Sequence, residues 1–231
     1  ESRTQAQALI RAGKVFAGEQ RVDKPGTPIS IELALEVRGK EHPWVSRGGM
    51  KLDHALRTFD IDVTGVTALD VGASTGGFTD VLLTHGAEKV YAVDVGYGQL
   101  NWKLRSDDRV VVLERQNARQ LTEEHIPEPV GIIVCDASFI GLEKVLAIPL
   151  TFAAPGAHLA ALIKPQFEVG KGEVGKGGIV RDPEQHRAVC DKIESWVSGM
   201  QDWRVIGIDQ SPITGAEGNI EFLIVARRDG E

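Results

Sequence analysis

Ala68-Leu69-Asp70-Val71-Gly72-Ala73-Ser74-Thr75-Gly76-Gly77-Phe78 is the stretch whose reading decides the fold. Val66, Ala68, Leu69 and Val71 make a short apolar run, the pattern of a parallel strand buried on both faces. The glycines after it read as a tight turn opening a helix through Phe78-Thr79-Asp80-Val81-Leu82-Leu83. Glycine suits such a turn because a nucleotide-like ligand has to approach the backbone closely, and a Cβ would block it and forbid positive φ. The spacing is D-x-G-x-x-x-G-G, neither the dinucleotide G-x-G-x-x-G nor the phosphate loop G-x-x-x-x-G-K-[ST]. The bland alternative is a turn that only seats a helix on a strand.

A second carboxylate narrows the ligand. Lys89-Val90-Tyr91-Ala92-Val93-Asp94 reads as the next strand, and its acid lies about 20 residues beyond the glycines, where such folds hold a ribose by its hydroxyls. Asp70 beside the glycines suits a ligand with a cationic amino-acid end and would repel a pyrophosphate. S-adenosylmethionine is therefore the expected cofactor, in preference to NAD. The candidate contacts are Asp70, the turn Gly72, Ala73, Ser74, Thr75, Gly76, Gly77 and Phe78, then Asp94 with Val95 and Gly96 on the loop after it.

Working outward, 231 residues allow one full domain and a small one. No apolar run approaches the roughly 18 residues of a membrane span, and no segment reads as a signal peptide. Cys135 and Cys190 stand apart from any C-x-x-C spacing or histidine cluster, so neither a disulfide framework nor a metal site is expected. A cytoplasmic location follows, and a monomer or weak homodimer. The net charge of −7 is uneven: residues 1–58 carry ten Lys/Arg against seven Asp/Glu, which leaves sixteen against twenty-six for the rest. Local patches set phosphate contacts, so the overall sign does not exclude RNA.

Residues 2–13 read as a helix capped by Ser2, with Ala6, Leu9 and Ile10 inward and Gly13 as its stop. A hairpin over Lys14–Val22, a Pro-Gly turn and a strand over Ile29–Leu33 complete a small α+β unit. The pattern S-R-x-x-A-x-x-L-I-x-x-G-x-V followed by V-x-K-P-G resembles the second half of the RNA-binding module named after ribosomal protein S-four. That resemblance implies phosphate contacts by Arg3, Arg11 and Lys14, and a first helix outside this chain. The expected domains are residues 1–38 for this module, 39–46 for a linker and 47–231 for the main domain.

The main domain continues with a helix from near Met50, whose apolar face is Leu52, Ala55, Leu56 and Phe59. Further strands are expected at Val110–Glu114, with Asn117 and Ala118 just beyond as cofactor candidates, at Ile132–Asp136, His158–Lys164, Trp203–Ile208 and Ile220–Val225. Helices over Leu142–Phe152 and from Pro183 to Met200 fill the gaps. The expectation is a doubly wound, mostly parallel α/β sheet with ligands at the carboxyl ends of its strands.

Four polar residues stand out against that fold. Asp136 and Lys164 each end an apolar strand, Lys51 sits in the first turn of a helix where the dipole disfavours a cation, and Glu221 lies in the last apolar run, a costly place unless paired. Singly, each reads equally as a surface ion-pair partner. Jointly they suggest a Lys, Asp, Lys, Glu set, in which the second lysine's like charge and desolvation can tune one amine toward neutrality, so that it can take a proton from a hydroxyl. The glycine-rich segment Gln166–Arg181 spaces Lys171, Lys176 and Arg181 along a loop fit to meet RNA backbone, or along an ordinary surface loop.

The motifs V-S-R-G-G-M-K-L, D-V-G-A-S-T-G-G-F-T, D-V-G-Y-G-Q-L, D-A-S-F-I, K-P-Q-F-E-V-G-K-G and G-N-I-E-F together resemble the hemolysin A (TlyA) family of ribosomal RNA 2′-O-methyltransferases, which carry an FtsJ-type domain. The resemblance implies a Rossmann-like class I methyltransferase fold and a K-D-K-E tetrad at Lys51, Asp136, Lys164 and Glu221. It also implies S-adenosylmethionine at the Asp70–Phe78 turn, Asp94 and Asp136, and RNA contacts that include Arg47. The implied substrate is ribosomal RNA or ribosomal subunits, at a cytidine of 16S or 23S RNA. A membrane-active hemolysin, as the family name has it, is opposed by the absence of a span or a long basic amphipathic helix. A non-catalytic RNA-binding factor is the other alternative.

Overall fold

The expected alternation of strands and helices is present in the computed structural model, which describes residues 3–37, 42–170, 172, 174–175, 177–215 and 218–230. By its internal contacts the chain divides into two units, Glu1–Pro43 and Trp44–Glu231. In the first, helix α1 (Arg3–Arg11) ends at Gly13, whose φ of 67° and whose amide, bonded to the Ile10 carbonyl at 2.9 Å, close the last turn. Strands β1 (Val15–Ala17), β2 (Gln20–Arg21) and β3 (Leu35–Val37) form an antiparallel sheet in the order β2-β1-β3. Leu9, Ile10 and Ile29 pack on Val15, Ala17 and Val22, whereas Ala6 is exposed.

The strand expected at Ile29–Leu33 is instead a turn. Ser30 accepts the Leu33 amide on its carbonyl (3.1 Å) and the Glu32 amide on its hydroxyl (3.3 Å), and Ile31 is fully exposed. Local serine hydrogen bonds outcompete the ladder there, and pairing resumes at Leu35. Ser2, Gly39, Lys40 and Glu41 lie outside the described residues. Trp44, read as linker, is 6 % exposed and belongs to the core of the second unit.

That unit holds a seven-stranded sheet. Its strands are β4 (Thr67–Val71), β5 (Lys89–Asp94), β6 (Val110–Glu114), β7 (Val130–Cys135), β8 (Ala153–Ile163), β9 (Trp203–Gln210) and β10 (Phe222–Arg228). They run in the order β6-β5-β4-β7-β8-β10-β9; the first five are parallel, and β10 lies antiparallel between β8 and β9. Helices α2 (Gly49–Thr58), α3 (Gly77–Thr84) and α4 (Trp102–Arg105) cover one face, α5 (Leu142–Leu146) and α7 (Pro183–Ser198) the other; α6 (Pro165–Glu168) is a single turn after β8.

Strand alternation sorts the core. Leu69 and Val71 of β4 face α5 and α7, while Ala68 faces α2 and α3. The helix expected over Leu142–Phe152 stops at Leu146, and a 3₁₀ turn, Pro149–Phe152, follows, because proline cannot continue the α-helical ladder. Strands β7 and β8 end one residue before Asp136 and Lys164, and β10 begins one residue after Glu221. All three polar side chains therefore lie just outside the ladder, where the sheet no longer dictates their direction.

Candidate active site

The carboxyl ends of β4, β7 and β8, the first turn of α2 and the turn before β10 surround a cavity of about 570 Å³, within the range of small-ligand and cofactor sites. Lys51, Asp136, Lys164 and Glu221 all line it, as do Gly72, Ala73, Ser74, Thr75, Gly77 and Phe78. Lys51 Nζ lies 2.6 Å from Glu221 Oε2 and 3.5 Å from Asp136 Oδ2; Lys164 Nζ lies 2.6 Å from Asp136 Oδ1. The order Glu221, Lys51, Asp136, Lys164 is thus a row of alternating charge, and both lysines and Glu221 are at most 6 % exposed.

Burying three charges beside the half-buried Asp136 is tolerable only when each has its partners. Two carboxylates offset the dipole penalty on Lys51 in the first turn of α2. Lys164 also donates to the Asp136 carbonyl (3.1 Å) and the Ser138 hydroxyl (2.9 Å), which together with the ion pair to Asp136 Oδ1 hold its ammonium in place. As an ammonium it has no lone pair, so it can accept a proton only after giving one up.

Three glycines permit close approach around the site. A Cβ on Gly215 would lie 2.6 Å from Glu221 Oε1, and one on Gly77 2.3 Å from Ser46 Oγ and 2.9 Å from the Gly49 amide, at the junction of α3 with α2. Gly72, with φ of 83°, brings the turn after β4 against the backbone of Ala137, where a Cβ would sit 3.0 Å away. The glycine turn and the strand end bearing Asp136 are in direct contact.

The FtsJ-like methyltransferase family profile matches residues 44–228, four-fifths of the chain. The chain belongs to this family. Within it, the chain is 50% identical over 227 residues to the 16S/23S rRNA (cytidine-2′-O)-methyltransferase TlyA of Mycobacterium tuberculosis, covering 98% of this chain and 84% of that one. It is 41% identical over 228 residues to hemolysin A of Brachyspira hyodysenteriae, covering 96% and 92%. A solved structure from Streptococcus thermophilus, of a protein whose name carries the word hemolysin, superposes with a TM-score of 0.80 at 41% identity, covering 99% of this chain and 84% of that one. The FtsJ-like methyltransferase described here is thus of the hemolysin A (TlyA) type. Among its described residues no helix is long and apolar enough to cross a membrane.

Several expected contacts of this methyltransferase lie elsewhere. Asp70 does not line the cavity: strand alternation turns it toward α3, where it is fully buried and accepts the Thr79 hydroxyl at 2.7 Å. Its other oxygen has no hydrogen-bond partner, and burial pushes its carboxyl up to about 7. Gly76, with φ of 93°, faces Leu100 and Leu104. Asp94 stands one layer behind the wall, accepting the amides of Ser74 (2.8 Å) and Gly96 (2.6 Å). Val95 is exposed, Ala118 is in the core, and Asn117 caps a 3₁₀ turn by accepting the Arg119 amide at 3.1 Å.

Of the expected RNA contacts, Arg47 is exposed and lines the cavity. Arg181 is exposed outside it, Arg3 and Arg11 are exposed and Lys14 half-buried in the N-terminal unit, and Lys171 and Lys176 lie outside the described residues. Burial pushes the Cys135 thiol up to about 12 and the Cys190 thiol to about 11, so neither supplies a thiolate near neutrality. Sequence reasoning missed Ser138, Phe139, Phe167, Gly215 and Asn219 in the cavity wall. Ser138 stood inside D-A-S-F-I and was legible as a neighbour of Asp136; Gly215 and Asn219 carried no periodic or charge signal.

Proposed function

We propose that the enzyme transfers a methyl group from S-adenosylmethionine to the 2′-hydroxyl of a cytidine ribose in ribosomal RNA, in the cytoplasm. The observation that carries this reading is the row of paired charges Glu221, Lys51, Asp136, Lys164 in the wall of the cavity whose other wall is the glycine turn. The relative from Mycobacterium tuberculosis is named for this reaction on 16S and 23S rRNA. A sulfonium cofactor fits the donor set: Gly72 to Thr75 and Phe78 give a backbone wall with an aromatic side chain, and the Asp94 carboxylate stands behind Ser74. When bound, S-adenosylmethionine supplies a methyl group already activated for displacement.

The protein then has to align an oxygen with that methyl and take its proton. Lys164 is the proton acceptor in this reading. Asp136 holds its amine in place, and the Lys51–Glu221 pair fixes Asp136 from the other side. Arg47, at the rim, meets phosphate, and the N-terminal unit anchors RNA through Arg3, Arg11 and Lys14.

The test is transfer of tritiated methyl from S-adenosylmethionine to isolated small and large ribosomal subunits, followed by mapping of the modified nucleotide. A ribonuclease-sensitive product carrying 2′-O-methylcytidine is expected. Incorporation that resists ribonuclease would overturn the RNA assignment, and a methyl on the base would overturn the 2′-hydroxyl.

A further inference from the structure

Asn219 lies two residues before Glu221 and is 1 % exposed. Its amide spans one short segment: Nδ2 donates to the Gly178 carbonyl (2.9 Å) and Oδ1 accepts the Val180 amide (3.0 Å). Only this orientation works, because the reverse sets donor against donor and acceptor against acceptor. The Val180 carbonyl in turn meets Nε2 of His186 at 3.0 Å, a buried histidine in the first turn of α7 whose ring lies edge-on to Phe222. Both ends of the glycine-rich stretch are thereby tied to catalytic elements: Lys164 precedes it, and Asn219 clasps its far end beside Glu221.

Gly178 and Asn219 line the cavity with Glu221. The strand order β4-β7-β8-β10 puts this wall at the opposite end of the site from the glycine turn. A glycine with φ of 76° at that wall lets another backbone come close. We propose that Asn219 is a positioning residue for the RNA acceptor: it fastens Gly178–Val180 to the turn that carries Glu221 and so sets the wall against which the ribose-phosphate backbone at the target nucleotide rests. This rests on the ribose 2′-hydroxyl reading given above. The Asn219 side-chain amide bonds Gly178 and Val180 and not the glycine turn, so its removal should act on RNA and leave cofactor binding alone.

Asn219→Ala is expected to lower kcat/KM for ribosomal subunits by about tenfold or more, the effect of roughly 1.4 kcal/mol, with Kd for S-adenosylmethionine within about twofold of wild type. Asn219→Asp separates a clasp from general structural damage. As a carboxylate it cannot donate to Gly178, whereas a protonated carboxyl restores both bonds. Burial and the neighbouring Glu221 carboxylate push such a carboxyl toward its protonated form, so its kcat/KM relative to wild type should rise as pH falls, while the alanine ratio stays flat. His186→Phe keeps the packing on Phe222, removes one donor, and should give a smaller loss of the same kind.

The Val180 amide provides a readout independent of catalysis: its hydrogen exchange should quicken in Asn219→Ala. Unchanged Val180 exchange, or cofactor affinity falling in step with kcat/KM in the alanine or phenylalanine variant, would each overturn the assignment. Wild-type enzyme that methylates no RNA would strike instead at the 2′-hydroxyl reading, while Val180 exchange would still decide whether the clasp exists.

Discussion

Lys164 pairs with the Asp136 carboxylate and donates to the Asp136 carbonyl and the Ser138 hydroxyl, and that geometry sharpens what its replacement must show. Lys164→Ala is expected to lower single-turnover methyl transfer by about 10²- to 10⁴-fold, the usual contribution of a general base, with cofactor binding close to normal. Lys164→Arg should be as slow, because a guanidinium holds its proton at any working pH. An active arginine variant would show that the residue only anchors charge. Asp70 gives a second prediction, of stability and not of rate. Its carboxyl titrates near 7 in the fold, against about 3.9 when unfolded, so the folded state holds the proton more tightly. Its contribution is fully present below about pH 4 and is lost as pH rises through 7, at up to about 1.4 kcal/mol per pH unit. Asp70→Asn should abolish that loss: its denaturation midpoint relative to wild type should climb from about pH 4 to about pH 8. Parallel pH profiles would contradict the buried, proton-holding state of Asp70. The sequence made both residues visible as acid and lysine at strand ends. It could not show that Asp70 turns inward, because that depends on which helix covers which face of β4.

Among the elements, the starts of α2 and α3 approach each other closely. A Cβ on Gly77 meets Ser46 Oγ and the Gly49 amide, and relieving that overlap means moving the first turn of α2, which carries Lys51. Gly77→Ala should therefore cut methyl transfer about tenfold or more, while stability falls only by the roughly 1–3 kcal/mol of an overpacked site. Comparison of single-turnover rates with melting curves checks this; a loss of rate no greater than the loss of folded protein would place the effect in packing alone. Apolar runs made β4, β5 and β6 readable almost to the residue, and β7 to within two. The opening of β8 was hidden by Pro155 and Gly156, residues disfavoured in a strand, and α4 and α6 are too short to show a helical period.

For the whole molecule, the excess of basic residues over 1–58 makes a prediction that needs no knowledge of how the two units sit together. Neutralising Arg3, Arg11 and Lys14 should weaken RNA binding and flatten its salt dependence, by up to about one unit of log–log slope per lost phosphate contact, with cofactor affinity unchanged. Equal slopes for wild type and the triple variant would remove this unit as an anchor. The parallel α/β class was legible from the strand and helix alternation, but the antiparallel insertion of β10 between β8 and β9 was not, since nothing in an apolar run records its direction. That insertion bears on synthesis. Lys51 and Glu221 are 170 residues apart in the chain, so their contact closes a very long loop and forms late. On an elongating chain the five parallel strands with the glycine turn emerge first, and Glu221 follows only with the strand that fills the sheet. Methyl transfer is then the last property the chain acquires, and its onset marks the moment at which β10 enters its slot.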